Sequence, residues 1–447
     1  AVISITKNNR EELLNIIQKI DNRFISDKVK TLVDSLTSIN EPNKKDVIST
    51  ARKIIHNLNK VDLSIKSELI NWISSNDSIN YSDYSSHLYS QSIYNPLNIS
   101  EVKPKYNHDC KEVDARIILR NNFDNILANN KNVIIFGEDT GKIGDVNQGL
   151  EGLQEKYGDV RVADTGIREA TIIGQGIGLS LRGLRPIAEI QYLDYLLYAI
   201  QIMSDDLATL HYRTKGKQKA PMIIRTRGHR LEGIWHSGSP LGGIVNFLRG
   251  IYVLVPRNMT KAAGFYNTML DSDQPCLIIE CLNAYRVKEK EPSNLSEIRT
   301  PVGVVEIINS GKDITVVSYG STLNLIQELI HELSEFNISI ELIDVQTLIP
   351  FDIEKEISKS VSKTNRLLII DEDVPGGGTG FILSELISKQ NIYNFLDSEP
   401  KILSAKNHRP AYGTDGDYFS KPSKEDVFEK IYEMMNESDP QQFPKLM

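Results

Sequence analysis

Residues 164–195, "DTGIREATIIGQGIGLSLRGLRPIAEIQYLDY", decide the fold class because they join a helix pattern to a strand pattern. Residues 165–178 are apolar and rich in glycine, which is typical of a helix packed closely against its neighbours. The segment "RPIAEIQ" at 185–191 predicts a short buried strand. A carboxylate, Glu169, stands at the start of the apolar helix. A half-buried glutamate is costly without a partner, although an acidic residue in a first helical turn often only complements the helix dipole.

Similar strand patterns recur along the chain, with helical patterns between several of them. They are "NVIIFGED" (132–139), "APMIIRT" (220–226), "IYVLVP" (251–256), "CLIIE" (276–280), "DITVVSYG" (313–320), "SIELIDVQ" (339–346) and "RLLIIDED" (366–373). The alternation predicts an α/β protein with two doubly wound, mainly parallel sheets after a small helical segment. We expect the helical segment at 1–75, a linker at 76–111, α/β domains at 112–298 and 299–437, and a tail at 438–447.

The composition is that of an ordinary soluble globular protein. The 447 residues are 40% apolar and 25% charged, and no apolar run approaches the length of a membrane span. The net charge of −8, without a basic stripe, argues against nucleic acid as the main ligand. Cys110, Cys276 and Cys281 have the spacing of neither a metal site nor a disulfide framework, so we predict no metal site. Since the N-terminus lacks a secretory signal pattern, we expect a reducing, cytoplasmic compartment.

Three further segments are candidate sites, and each has a plainer alternative. "GQGIG" at 174–178 departs from the dinucleotide fingerprint and lies inside an apolar helix, which favours helix packing. "PGGGTG" at 375–380 has the form of a phosphate nest, but the acidic run before it favours a structural turn. "RGHRLEGIWHSGSPLGG" at 227–243 places His229 and His236 in a polar loop after a strand. From the residues alone, an active-site loop and a solvated loop are about equally supported.

Taken in order, the segments "FGEDTG", residues 164–195, "WHSGSP", "VLVPRN", "DVQTLIPFD" and "LLIIDED" resemble a known family. This family is the beta subunit of the thiamine-diphosphate-dependent decarboxylating component of 2-oxo acid dehydrogenase complexes, within the transketolase superfamily. The resemblance covers roughly residues 112–437. It implies a pyrimidine-binding domain at 112–298 and a transketolase C-terminal-like domain at 299–437. The implied activity is decarboxylation of a 2-oxo acid, pyruvate or branched-chain, with transfer of the acyl group to a lipoyl arm.

The resemblance also implies roles for individual residues. Glu169 matches the glutamate that hydrogen-bonds a ring nitrogen of the cofactor's aminopyrimidine. Tyr195 matches the aromatic residue that packs on that ring, where the family often has Phe. Gln191 matches another residue of that pocket, and Ile167 one whose main chain lies beside it. His236 matches the histidine of the family's "HSQ" loop, near the reacting carbonyl and the lipoyl group, although this chain has glycine in place of the glutamine.

The resemblance implies partners as well. The superfamily binds the diphosphate and Mg²⁺ through a "GDG…NN" motif on a separate domain, and this sequence contains no such motif. We therefore expect an alpha-type half, either on another chain or fused upstream, and the segment 1–75 favours the fused form. A lipoyl acyltransferase core and a second copy of this chain, forming a homodimer, are the other expected partners. Without the alpha-type half we expect the chain to be inactive.

Two other functions stay open. A transketolase or deoxyxylulose-phosphate synthase fragment would need basic residues for a sugar phosphate, and Arg225, Arg227 and Arg230 are the candidates. A non-catalytic scaffold subunit is a rival of another class. The presence of both Glu169 and His236 argues against it.

Overall fold

The computed structural model describes residues 2–20, 25–58, 63–229, 239–411 and 413–446, and the chain divides into two compact units, Ala1–Ser86 and His87–Met447. The helices of the described residues are α1 (Val2–Gln18), α2 (Asp27–Ser38), α3 (Lys44–Asn57), α4 (Leu63–Tyr84), α5 (Ala115–Asn129), α6 (Leu153–Tyr157), α7 (Glu169–Leu181), α8 (Ile200–Ile202), α9 (Ala208–Arg213), α10 (Leu241–Phe247), α11 (Met259–Leu270), α12 (Thr322–Glu335), α13 (Glu356–Thr364), α14 (Gly378–Gln390), α15 (Gly413–Ser420) and α16 (Lys424–Ser438).

The strands of the same residues are β1 (Glu112–Asp114), β2 (Val133–Gly137), β3 (Val162–Asp164), β4 (Arg185–Tyr192), β5 (Ile223–Gly228), β6 (Tyr252–Leu254), β7 (Cys276–Cys281), β8 (Lys288–Lys290), β9 (Glu306–Asn309), β10 (Ile314–Ser318), β11 (Ile340–Asp344), β12 (Thr347–Ile349), β13 (Leu367–Ile370) and β14 (Lys401–Leu403). The predicted fold class is confirmed, since mainly parallel sheets with flanking helices follow an N-terminal helical segment.

The first unit packs α1 to α4 around an apolar core that includes Leu13, Leu36 and Ile54. Helix α4 runs through the expected boundary at residue 75 and ends at Tyr84. Its second half is rich in serine and asparagine, which is the composition of a linker. The segment is nevertheless helical, and hydroxyl groups donate back to carbonyls one turn earlier, as Ser78 does to Ser74 at 3.1 Å.

The second unit contains a seven-stranded sheet in the order β12-β6-β7-β5-β4-β2-β3. The six strands from β6 to β3 are all parallel to their neighbours, which is typical of strands joined by helical crossovers. Strand β12 is antiparallel and pairs with β6 through Thr347 and Ile349. It comes from the C-terminal half of the chain, so the two α/β domains share one sheet.

The C-terminal domain has its own five-stranded sheet in the order β14-β13-β10-β11-β9, parallel except for β9. An ion cluster joins this sheet to the preceding domain. The Arg257 Nη1 atom lies 2.5 Å from a carboxylate oxygen of Glu306 and 2.9 Å from one of Asp344, and Lys261 lies 2.7 Å from Glu306. Beyond α16, Phe443 is buried against the core of this domain, so that part of the expected tail is packed.

No helix in the described ranges combines the length and the apolar character that crossing a lipid bilayer requires.

Candidate active site

Three neighbouring parallel strands bring the candidate site together at their carboxyl ends. Gly137, the last residue of β2, pairs with Asp164 at the end of β3 and with Glu189 near the end of β4. Residues that follow β2 and β3, and the last residues of β4, therefore meet at one edge of the sheet. In open parallel sheets this edge is where ligands bind.

The residues at this edge line a cavity of about 280 Å³. The lining consists of Glu138, Ile167, Arg168, Glu169, Gln191, Tyr195 and Tyr198. The four predicted cofactor-binding residues that the structure describes, Ile167, Glu169, Gln191 and Tyr195, are thus all brought together. Glu169 is half-buried as the first residue of α7, where the helix N-terminus favours a negative charge.

Sequence reasoning missed three lining residues, which are Glu138, Arg168 and Tyr198. The signal for Glu138 was present, because "FGED" ends a strand with acidic residues, and the carboxyl end of a parallel strand is a common position for site residues. Burial, followed by the negative charges of Asp139 and Glu169, raises the pKa of the Glu138 carboxyl above its ordinary value. The cavity therefore holds two carboxylates close enough to influence each other.

The aromatic part of the site is also fixed by its neighbours. The rings of Tyr192 and Tyr195 meet edge to face, with centroids 5.8 Å apart and planes at 85°. Burial, and then the nearby Tyr192 and Glu138, raise the pKa of the Tyr195 hydroxyl, which keeps that ring neutral. The Gln191 amide Nε2 donates to a carboxylate oxygen of Asp139 at 3.2 Å.

One side of the cavity is open and apolar. The side chains of Ile167 and Tyr198 are 74% and 72% exposed, and Leu197 beside Tyr198 is exposed as well. Exposed apolar groups clustered at the rim of a cavity are typical of a surface that another protein element covers.

Arg225 and Arg227 do not belong to this cavity, which corrects their suggested role as phosphate ligands. Both guanidinium groups are fully buried. Arg225 contacts Asp145, Glu189 and Glu280, and Arg227 contacts Asp145 and Glu189. Glu189, the two arginines and Glu280 lie on three adjacent strands, β4, β5 and β7, and Asp145 comes from the loop after β2. The buried charges of opposite sign satisfy each other there. Neither arginine is accessible to a sugar phosphate, and Arg230 lies outside the described residues.

The predicted catalytic residue His236 also lies outside the described residues, but the residues that flank segment 230–238 are described. The His229 Nε2 atom lies 2.6 Å from a carboxylate oxygen of Asp371, and the Ser239 hydroxyl donates to Glu372. His229 is fully buried, so it is a core residue rather than a solvated loop residue. Asp371 and Glu372, in the acidic run after β13, thus contact the residues on either side of segment 230–238.

The third carboxylate of that run explains the glycine-rich turn after it. Asp373 accepts hydrogen bonds from the backbone N–H groups of Val374 at 2.8 Å and Gly378 at 3.2 Å. Burial, and then the charge of Asp371, raise the pKa of Asp373 to about 6. Because a carboxylate already occupies these amides, "PGGGTG" is a structural turn, as its acidic approach indicates.

Comparison with known families separates the two α/β domains. Residues 111–288 match the family described as "Transketolase, pyrimidine binding domain". Residues 303–419 match "Transketolase, C-terminal domain". The cavity, including Glu138, Glu169 and Tyr195, lies within the first match.

Several relatives align with most of their length. The pyruvate dehydrogenase E1 component subunit beta of Mycoplasma genitalium is 31% identical over 287 residues, which is 63% of this chain and 86% of the relative. The same subunit of Acholeplasma laidlawii is 29% identical over 279 residues, 62% of this chain and 84% of the relative. The 2-oxoisovalerate dehydrogenase subunit beta of Bacillus subtilis is 29% identical over 280 residues, with the same shares.

A solved structure described as a split-gene transketolase in an inactive beta4 tetramer has the same fold, with a TM-score of 0.58 and 19% sequence identity over 72% of this chain and 98% of that one. The pyrimidine-binding and C-terminal transketolase domains, in this order and with these relatives, agree with the resemblance drawn from the sequence motifs. The chain therefore belongs to the family of E1 beta subunits of the pyruvate and 2-oxoisovalerate dehydrogenases.

Proposed function

We propose that the chain is the beta-type half of a 2-oxo acid dehydrogenase decarboxylating component, which decarboxylates a 2-oxo acid with thiamine diphosphate and transfers the acyl group to lipoyl. The observation that carries this proposal is the convergence of Glu169, Gln191 and Tyr195 on one cavity at the carboxyl ends of β2, β3 and β4. These residues bring a carboxylate, an amide and an aromatic ring together at one cavity.

The cavity fits the aminopyrimidine end of thiamine diphosphate. Its carboxylates, Glu138 and Glu169, can accept from ring or amino N–H groups, and Tyr195 offers an aromatic surface. When bound, thiamine diphosphate supplies a carbon nucleophile and an electron sink for the decarboxylation. Glu169 would hold the ring through a hydrogen bond and share its proton, which a carboxylate at a helix N-terminus can do. The exposed main chain around Ile167 would border the same ring.

The remainder of the cofactor needs a second protein surface. Among the described residues that line the cavity, Arg168 is the only cationic one, and the glycine-rich turn at 375–380 is occupied by Asp373. The diphosphate and its Mg²⁺ would therefore be bound mainly by an alpha-type half, which would also cover the exposed side chains of Ile167 and Tyr198. His236 is proposed to act near the reacting carbonyl and the lipoyl group, and a lipoyl acyltransferase core and a second copy of this chain are the further proposed partners.

Calorimetric titration with thiamine diphosphate and Mg²⁺ tests this proposal. The chain alone should bind weakly, and the chain reconstituted with an alpha-type half should bind tightly and decarboxylate pyruvate or 2-oxoisovalerate in the presence of an artificial electron acceptor. Tight, Mg²⁺-dependent binding by the chain alone would contradict the division of the site between two halves. Absence of decarboxylation after reconstitution would contradict the proposed activity.

A further inference from the structure

Strand β4 contains an irregularity at one of the residues that line the cavity. Ile190 lies opposite Thr226 on β5, and the next paired residue, Tyr192, lies opposite Arg227. Gln191 is therefore an extra residue on β4, which makes it a β-bulge. Bulges bend a strand, re-aim a side chain and occur next to active sites.

The guanidinium of Arg227 stabilises this bulge directly. Its Nη1 donates to the main-chain carbonyl of Gln191 at 3.2 Å. An extra residue in a bulge loses its regular ladder partner, and a buried carbonyl without a partner is costly. Arg227 supplies that partner from the adjacent strand.

Arg227 is itself held rigidly, so it can define the position of the bulge. Its Nη2 donates to Glu189 at 2.9 Å and lies 2.9 Å from a carboxylate oxygen of Asp145, and its Nε donates to the Tyr285 hydroxyl at 3.0 Å. The side chain is fully buried. The planar fork thus bridges fixed partners on one side and the carbonyl of Gln191 on the other, a geometry that the single ammonium of a lysine cannot reproduce.

We infer that Arg227 is a positioning residue of the candidate active site. It holds the bulge at Gln191, and through the bulge it positions Gln191 and, by way of the Tyr192 ring, the cavity-lining Tyr195. The Gln191 side-chain amide donates to Asp139, which lies two residues after the end of β2. Tyr192 follows the bulge directly and packs edge-on against Tyr195. This inference rests on the proposed function only where it concerns the cofactor.

Arg225 provides a matched control. It is as fully buried as Arg227, lies two residues earlier on the same face of β5, and shares Asp145, Glu189 and Tyr285. It also contacts Glu280 on β7 and lies over the Phe123 ring, and it has no described hydrogen bond to the bulge. Arg225→Lys and Arg227→Lys therefore perturb the same charge cluster, but only the second removes the bond to Gln191.

Hydrogen exchange of the backbone amides of residues 189–198, measured on the whole chain without ligand, tests the inference independently of any cofactor. Arg227→Lys should accelerate this exchange, whereas Arg225→Lys should leave it near the wild-type rate. In the reconstituted complex, Arg227→Lys should weaken thiamine diphosphate binding about tenfold, as loss of a supporting contact typically does, and Arg225→Lys should change it less than about twofold.

If Arg227→Lys does not fold, Arg227→Gln combined with Glu189→Gln removes one charge of each sign and leaves the net charge of the cluster unchanged. The same acceleration at 189–198 is expected from this pair. Equal exchange in the Arg225 and Arg227 variants would overturn the inference. Failure of the wild-type complex to bind thiamine diphosphate would instead contradict the proposed function, and the exchange comparison would still decide the role of Arg227.

Discussion

At the scale of single residues, Glu169 differs from the fully buried carboxylates of the same domain in what its side chain borders. Glu189 and Glu280 are fully buried and each contacts an arginine, so their charges are used within the structure. Glu169 is half-buried and borders a cavity instead. A carboxylate directed to a cavity is available to a ligand, which explains why an acidic residue begins an otherwise apolar helix.

Glu169→Gln should reduce decarboxylation in the reconstituted enzyme by at least about 100-fold, because the amide can hydrogen-bond but cannot share a proton in the same way. Decarboxylation is measured with an artificial electron acceptor, and thermal unfolding checks that the fold is intact. Glu138→Gln, which removes a carboxylate from the same cavity, is the matched control and should cost less than about tenfold. Similar losses in both variants would mean that the cavity needs negative charge in general rather than Glu169.

Tyr195 allows a second test at this scale. If its ring packs on the aminopyrimidine, Tyr195→Phe should leave thiamine diphosphate affinity almost unchanged. Tyr195→Ala should weaken it about tenfold, since aromatic pairs contribute roughly 0.5–1.5 kcal/mol beyond the area that they bury. Calorimetric titration of the reconstituted complex measures both. A large loss in the Phe variant would assign the role to the hydroxyl instead.

At the scale of helices and strands, close approaches of the backbone fix the packing of the second unit. Helix α10 begins beside the glycine-rich turn before α14, and a Cβ atom at Gly242 would lie 2.6 Å from the Cα of Gly377. A Cβ atom at the next residue, Gly243, meets nothing within 4 Å. Of these two adjacent glycines, only Gly242 is required by close packing.

Gly242→Ala should lower the free energy of unfolding by about 1–3 kcal/mol, because the new methyl group overlaps backbone that has little freedom to move. Gly243→Ala should be neutral or stabilise by up to about 1 kcal/mol through helix propensity. Urea denaturation of the two variants gives the comparison. If Gly242→Ala is as stable as the wild type, the contact between α10 and the turn at 375–380 is not tight.

The elements also show what sequence can predict. The strand patterns from "NVIIFGED" to "RLLIIDED" all contain strands, because each is a local apolar run with turn residues on both sides. Strand β12 was missed, since three residues inside "QTLIP" give little local signal and its partner, β6, lies far away in sequence.

Arg225 and Arg227 were misjudged for a related reason. Their carboxylate partners come from other strands and loops, so local sequence does not reveal that the charges are buried.

At the scale of the whole molecule, the ion cluster of Arg257, Lys261, Glu306 and Asp344 links the two α/β domains. Burial alone would raise the pKa of Glu306, but the hydrogen bond from Arg257 and the charge of Lys261 outweigh it and lower this pKa to about 2. An acid whose pKa is lower in the folded state stabilises the fold above its unfolded pKa. That stabilisation is lost as the pH falls from the ordinary value of 4.5 toward 2.

Glu306→Gln should therefore destabilise the chain at pH 7 by about 1 kcal/mol, a modest value because the group is partly exposed, and by progressively less below pH 4. Urea denaturation at several pH values measures this difference. Glu297→Gln, an exposed position on the preceding segment, is the control and should have little effect at any pH. A destabilisation by Glu306→Gln that does not depend on pH would show that lost packing, rather than lost charge, is responsible.

The pairing of strand β12 with the sheet of the first α/β domain has a consequence for the solubility of shortened chains. Without β12, strand β6 would end the sheet with a row of unpaired N–H and C=O groups, which is a template for association with another chain. The C-terminal domain thus covers the exposed strand β6 of the preceding domain. This function is separate from any role in catalysis. Fragments that stop before residue 347 would expose the bare backbone of β6, which would add to the association caused by the apolar core residues that the missing segment covers.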